Sequence, residues 1–500
     1  MTTYGRPGVY ITERLLPAPI ASEGTADAAG GLLATFAQGP ETLTTVNSWY
    51  EFVKRFGGYS TVYPATFAAA AFFQNGGSEL VIKRVLGADA EAASVIIPPA
   101  SGSTPISTVT SLSRGVDANN LRVQVTAAAL TGFYNLTVYR EQVAGTANNV
   151  ANDAILERFT NIVFNDPSSS DFVDSVVNTS SEFISIVTTA TATAPSLAVL
   201  PLTGGDNGDA PVAADYVGAI EDFSELNRPL VLMAPDAIPL LGASNGATVL
   251  NGLAAWAGNN SSFVVADTAP NLTVAQAETF ASSLTASPNI AVYYPNIFVS
   301  DPLGRSPQAL RKVGPAGAVA GLYISTDRLY GPFKAPAGIR AGVRGAVAVE
   351  KALTSAELDA LNTGAAPLNA LRNLPGAGVV SMGARTLLQD GTANKYVNMR
   401  RSLNYIRAQL LLLTEFALFE NNDEVLWSRL RSNISIFLGE YRNQGGLRGA
   451  TEEEAFFVKI DTENNPQASI EQGEVHIEVG VALQYPAEFV VINLSQKTAA

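Results

Sequence analysis

Few residues in this chain have the types and spacing for chemistry. The one histidine, His476, sits in Glu474-Val475-His476-Ile477-Glu478-Val479. In a strand, residues two apart share a face, so Glu474 and Glu478 flank the imidazole while Val475, Ile477 and Val479 point the other way. A histidine oriented by a carboxylate is a general-base arrangement; a half-exposed position on a sheet is the plainer reading. Gly242-Ala243-Ser244-Asn245-Gly246 fits the G-x-S-x-G string of a hydrolase elbow, in which the serine follows directly on a buried strand. Here the apolar run ends near Met233, and Pro235 and Pro239 intervene. A polar turn ahead of a helix beginning near Val249 explains the string better. A hydrolase built from Ser244, an aspartate and His476 is the minor alternative.

Other equipment is sparse. There is no cysteine, which removes disulfides, thiolate metal sites and a cysteine nucleophile, and a zinc site needs several nitrogen or sulfur ligands. Asp206-Asn207-Gly208-Asp209 could offer oxygen ligands to a hard cation but is more simply a turn. No G-x-x-x-x-G-K-[ST] string occurs, and no strand leads into G-x-G-x-x-G. No cofactor or metal is therefore expected. A net charge of −14 argues against nucleic acid as a partner, which calls for a basic footprint. No stretch reaches the roughly 18 apolar residues of a membrane span, so direct membrane insertion is not expected. The first residues lack the pattern of a secretory signal, which fits a chain made in the cytoplasm.

The elements around these residues are more informative. Both ends read as strands without a local partner: Pro7 to Glu13, with Val9, Tyr10 and Ile11 at its centre, and Pro486 to Leu494, with Phe489, Val490, Val491 and Ile492. Unpaired strands are templates for pairing, so these ends either close the chain on itself or join it to neighbours. Charged residues make up only 15%, against about 25% in an average domain; much of the surface is uncharged or covered by protein.

Strand, helix, helix and strand follow one another through Gly30–Ala37, Val46–Phe56, Thr66–Phe73 and Leu80–Val85, the grammar of a layered α/β domain. From about residue 90 to 203, short Ser/Thr/Val-rich alternating segments predict a β-rich module, a sandwich inserted into that domain. Alternation of helix with near-continuous apolar strands then resumes at Arg228–Met233, Ser262–Asp267 and Ile290–Tyr294, which predicts a parallel sheet covered on both faces. Further on, Leu403, Ile406, Leu410, Leu413 and Ala417 stripe one helix; Leu426, Leu430, Ile434, Phe437 and Tyr441 stripe a second, beyond the breaker Glu420–Asp423. Phe456, Val458 and Ile460, then Val475, Ile477, Val479 and Val481, form the inward faces of two alternating strands.

The domains expected are an arm at 1–20, a first part of the α/β core at 21–90, the inserted module at 91–205, a central α/β domain at 206–375, an α+β C-terminal domain at 376–485 and a second arm at 486–500. Positive charge gathers in the C-terminal half, including Arg400, Arg401, Arg442 and Arg448. Solvated helix faces account for part of it; the sharper reading is a basic surface meeting an acidic protein.

Several segments, taken in order, resemble the sheath proteins of contractile phage tails and related injection particles. They are Pro7-Gly8-Val9-Tyr10-Ile11-Thr12-Glu13; Asn75-Gly76-Gly77 with Ile82-Lys83-Arg84-Val85; Gly317-Ala318-Val319-Ala320-Gly321 with Asp327-Arg328 and Lys334-Ala335-Pro336-Ala337; Gly383-Ala384-Arg385-Thr386-Leu387; Tyr396-Val397-Asn398-Met399-Arg400-Arg401; Phe419-Glu420-Asn421-Asn422; and Pro486-Ala487-Glu488-Phe489. The resemblance implies a central domain of subtilisin-like topology without a catalytic triad, an outer sandwich insertion, and a C-terminal domain facing an inner tube. It further implies arms that add strands beside the strands Phe456–Ile460 and Val475–Val479 of neighbouring subunits, Arg400, Arg401, Arg442 and Arg448 toward the tube, and helical self-assembly. Tube, baseplate and tail terminator proteins would be its partners. The implied role is a non-enzymatic subunit of a contractile virion tail or injection particle, assembled in the host bacterial cytoplasm.

Overall fold

A computed structural model describes residues 28–141, 150–189 and 194–488. The expected arm residues Val9, Tyr10, Ile11, Phe489, Val490, Val491 and Ile492 lie outside them. The described chain divides into a larger unit, residues 28–405 with 484–488, and a smaller one, Ile406–Leu483.

The larger unit is organised by an eight-stranded sheet. Its order is Gly378–Ser381, Asn369–Leu374, Ile290–Tyr294, Phe263–Asp267, Leu230–Met233, Ala29–Ala34, Leu80–Arg84, Thr44–Val46. The six inner strands run parallel and both edge strands antiparallel. Its central strands are buried throughout, because alternate residues serve two cores. Leu232, Val264, Ala266 and Val292 meet helices Ala213–Ile220, Ala237–Asn259 and Val274–Ser283 on one face. Val231, Met233, Val265 and Tyr293 meet helices Trp49–Phe56, Ala65–Gln74 and Ala316–Tyr330 on the other. Two-sided covering is why these strands read as continuous apolar runs.

Helices Ala65–Gln74 and Ala316–Tyr330 pack backbone to backbone. A Cβ on Gly317 would stand 2.2 Å from the Ala68 carbonyl oxygen, and one on Gly321 2.2 Å from that of Phe72. The four-residue spacing puts both glycines on one helix face, so the Gly317–Gly321 segment is required by close approach.

Between Leu80–Arg84 and Leu230–Met233 the chain builds two antiparallel sheets. One orders Ala92–Ile97, Ser107–Arg114, Ile184–Thr188; the other Val199–Pro201, Leu121–Ala127, Tyr134–Arg140, Ala154–Ile162. Both contribute to a single apolar core, from Ala93 and Val109 to Val123, Leu136 and Phe159. Arg84 ties the main sheet to this region. Its buried guanidinium donates to the carbonyls of Phe36 (3.1 Å), Ala37 (3.2 Å) and Gly39 (2.8 Å) and to the Ser113 hydroxyl (2.9 Å). Burial brings its pKa down to about 10.

Two expectations need correction. The boundary at residue 376 cuts the antiparallel pair Asn369–Leu374 and Gly378–Ser381, because the sheet of the central domain continues to Ser381. Ser244 lies not in a turn before a helix but within helix Ala237–Asn259, just past a kink at Gly242 (φ 81°, ψ 168°). The kink supplies the break that the glycine suggested, and helical geometry continues on either side of it.

Candidate functional site

In the smaller unit, Asp423 caps helix Glu424–Asn443, its carboxylate accepting from the amides of Val425 (3.0 Å) and Leu426 (2.9 Å). Leu426, Trp427 and Leu430 from this helix bury with Ile460, and Val458, Val475 and Ile477 pack against them. Strands Phe456–Lys459 and Glu478–Val481 pair antiparallel, Phe456 opposite Val481 and Val458 opposite Val479. The inward apolar face of both strands is the one the alternation predicts. On the other face Phe457 lies across Gly480, where a Cβ would stand 2.1 Å from its ring. Among the described residues each strand has this single partner, leaving two outer edges on which a further strand can pair.

The second strand begins later than the alternation suggests. Val475 and Ile477 keep their inward positions but lie outside the ladder, as does Ile460 at the end of the first strand. The buried Asn465 side chain takes the place of a strand there, accepting from the His476 amide (2.6 Å) and donating to its carbonyl (2.9 Å). Asn422 accepts from the Trp427 indole (2.8 Å) and donates to the Glu474 carbonyl (2.9 Å). It therefore joins the helix start to the hairpin, a role the breaker reading missed.

His476 itself is half-exposed, its ring 3.1 Å from the Glu474 carboxylate. Ser244 is exposed and belongs to the larger unit. Among the described residues no group of three or more acidic or histidine side chains could hold a metal ion, and no helix is long and apolar enough to cross a membrane.

The basic residues divide. Arg401 is only 5% exposed; it pairs with Asp327 through two nitrogens and lies 4.7 Å over the Tyr323 ring. Its charge is matched inside the larger unit, so it drops out of the tube-facing set. Arg400 is half-buried and donates to Asn289 (2.7 Å). Arg442 donates to the Gly449 (3.3 Å) and Ala450 carbonyls and fixes the turn after its helix, while Arg448 is exposed.

Just after the hairpin the chain returns to the larger unit. The Glu488 carboxylate accepts both Arg385 Nε (2.7 Å) and a terminal Arg385 nitrogen (2.8 Å), and the Tyr396 hydroxyl lies 3.3 Å from the same carboxylate. Asn398 donates to the Gln484 carbonyl (3.2 Å), and Tyr485 meets the Tyr396 ring edge-on at 6.3 Å. Glu488, within the segment expected as the C-terminal strand arm, is thus held on the larger unit.

The larger unit is a layered α/β body bearing a two-sheet insertion, and the smaller unit carries a two-stranded sheet with two outer edges. Residues 389–497 match the phage tail sheath C-terminal domain family. The tail sheath protein of Vibrio phage KVP40 is 30% identical over 179 residues; the match takes in 36% of this chain and 26% of that protein, so the chain spans about a quarter of the curated relative's length. The contracted helical sheath of the anti-feeding prophage superposes with a TM-score of 0.60 at 20% identity, covering 99% of this chain and 100% of that one. A sheath tail protein from Listeria innocua superposes with 0.62 at 13% identity, covering 93% and 96%. Over residues 389–497 the chain is similar in sequence to the C-terminal domain of phage tail sheath proteins, and over nearly its whole length it shares the fold of solved sheath proteins.

Proposed function

We propose that this chain is a structural sheath subunit. It polymerises helically around an inner tube by exchanging β-strands with its neighbours, and it contracts to drive that tube through a target envelope. The observation that supports this reading is that nearly the whole chain superposes on a subunit of a contracted helical sheath, together with a strand pair that, among the described residues, has no further strand on either outer edge. The terminal segments around Val9–Ile11 and Phe489–Ile492 are the donated strands, and Phe456–Lys459 with Glu478–Val481 the acceptor. Each main-chain hydrogen bond so formed contributes roughly 0.5–1.5 kcal/mol and recurs at every subunit.

The central domain is read as subtilisin-like in topology and the insertion as an outer sandwich. Fold does not carry activity, and the relatives are structural proteins, so the role is non-enzymatic. Arg400, Arg442 and Arg448 are the candidates for an acidic tube surface; baseplate and terminator proteins complete the partners of a particle tail assembled in the bacterial cytoplasm.

Negative-stain microscopy of the purified chain tests the reading, with tubes of uniform width expected. A chain lacking residues 1–20 should give dispersed particles. Ordered tubes from that truncation would sink strand exchange, and dispersed globules from the full chain would sink the sheath reading.

A further inference from the structure

Of the segments that carry the sheath resemblance, Gly383–Leu387 and Tyr396–Arg401 lie close together in sequence, while Pro486-Ala487-Glu488 lies far along the chain from both. Glu488 meets Arg385 from 103 residues away and Tyr396 from 92. They converge on one place in the larger unit, and strand exchange as proposed does not use that convergence.

Arg385 is also held by contacts that do not involve Glu488. Its backbone amide donates to the Asn369 side chain (2.7 Å) and its carbonyl accepts from the same side chain (2.8 Å). Asn369 is buried at the start of a strand of the main sheet and also donates to the Val292 carbonyl (3.2 Å). A third Arg385 nitrogen donates to the Asn362 carbonyl (2.7 Å). The guanidinium is thereby aimed by the sheet, and its remaining fork matches a carboxylate in two-point geometry. Asn398, itself buried, holds Gln484 from the N-terminal turn of helix Val397–Thr414 and also donates to the Phe333 carbonyl (3.0 Å).

The structure assigns Arg385, Tyr396, Asn398 and Glu488 to a clamp that fixes the point on the larger unit from which the chain continues past Glu488. The clamp couples a donated strand to the main sheet. It rests on the strand-exchange reading for its purpose, though not for its existence. Without it, residues 484–488 would add to the free length of the tether. The strand's effective concentration at a neighbour would then fall, and pull on the strand would not reach the body at a defined point.

The chain has no cysteine, so Ala487→Cys, at an exposed position, gives one spin-label site beside the clamp. In the unassembled chain the label is expected to be immobilised. Arg385→Gln or Glu488→Gln should free it, and the exchange Arg385→Glu with Glu488→Arg should immobilise it again. In assembly, each single variant should raise the concentration at which polymer first sediments by about tenfold, equivalent to about 1.4 kcal/mol per subunit, with the exchanged pair restoring it in part. Unchanged label mobility in both single variants would overturn the clamp. So would freed labels with an unchanged sedimentation threshold, since the clamp would then not act on the strand. A full-length chain that never polymerises would overturn the sheath reading instead, and the label comparison would still decide the clamp.

Discussion

Replacing Asp267 by asparagine should change how the stability of the larger unit depends on pH. Asp267 ends a central strand of the main sheet and is buried, its carboxylate accepting the Ala316 amide at 2.5 Å where helix Ala316–Tyr330 begins. Two effects compete. The helix N-terminus favours the charged form by about 0.3–1 kcal/mol, up to ~2 in partly buried sites, whereas removal from water disfavours it by several. Burial wins, pushing the pKa from 3.8 up to about 7. At roughly 1.4 kcal/mol per pKa unit, the buried charge costs about 4 kcal/mol above pH 7. The folded chain binds this proton more tightly than the unfolded one, so the contribution falls as pH rises from about 4 to about 7 and is level on either side. The substituted asparagine cannot ionise and lacks that slope. Its carbonyl can accept the Ala316 amide, but its amino group meets a buried position where the second carboxylate oxygen already has no partner, a penalty of about 1–3 kcal/mol. The variant should thus be less stable than the parent near pH 4 and more stable near pH 8, the difference swinging by about 4 kcal/mol. Urea denaturation followed by circular dichroism from pH 4 to 8, read as the difference between the two proteins, isolates this group from the other carboxylates. A difference constant with pH would show that Asp267 is charged throughout, held by the helix terminus, and would refute the argument.

Gly321→Val should lower stability by about 3 kcal/mol, as its side chain is forced into the Phe72 carbonyl; Gly342→Ala, with open space around it, is the control, and equal thermal midpoints would remove the close-approach account. Arg401→Met should cost about 3 kcal/mol by leaving the Asp327 charge without its guanidinium, and adding Asp327→Asn should recover part of the loss in a denaturation cycle. Asn465→Ala should destabilise the hairpin unit by about 1–2 kcal/mol and speed hydrogen exchange at the His476 amide, which loses its acceptor; unchanged exchange would contradict the strand-substitute role. His476→Ala should shift stability by no more than about 0.5 kcal/mol, as for an exposed side chain, and leave tube formation intact; loss of a measurable hydrolysis would revive the enzyme alternative.

Local pattern alone determined much of this protein. Continuous apolar runs announced the two-sided sheet, because a strand covered on both faces has no polar side to display. Period-two alternation set the inward faces of Phe456, Val458, Val475 and Ile477, and the polar break at Glu420–Asp423 marked where the last long helix begins. Such features depend on residues a few positions apart. Tertiary structure decided what depends on distant partners. Strands from both sides of the insertion join one sheet, Leu230–Met233 pairing beside Ala29–Ala34, and the antiparallel pair Asn369–Leu374 and Gly378–Ser381 carries the central domain past residue 376. Asn465 replaces a strand beside His476, so the second strand starts at Glu478. Arg401 and Arg448 look alike in sequence, yet one is buried over Tyr323 against Asp327 and the other meets solvent. A charge's role is set by what stands within a few ångströms of it, and for Arg401, as for Arg385 and Glu488, that neighbour lies 74 or 103 residues away along the chain.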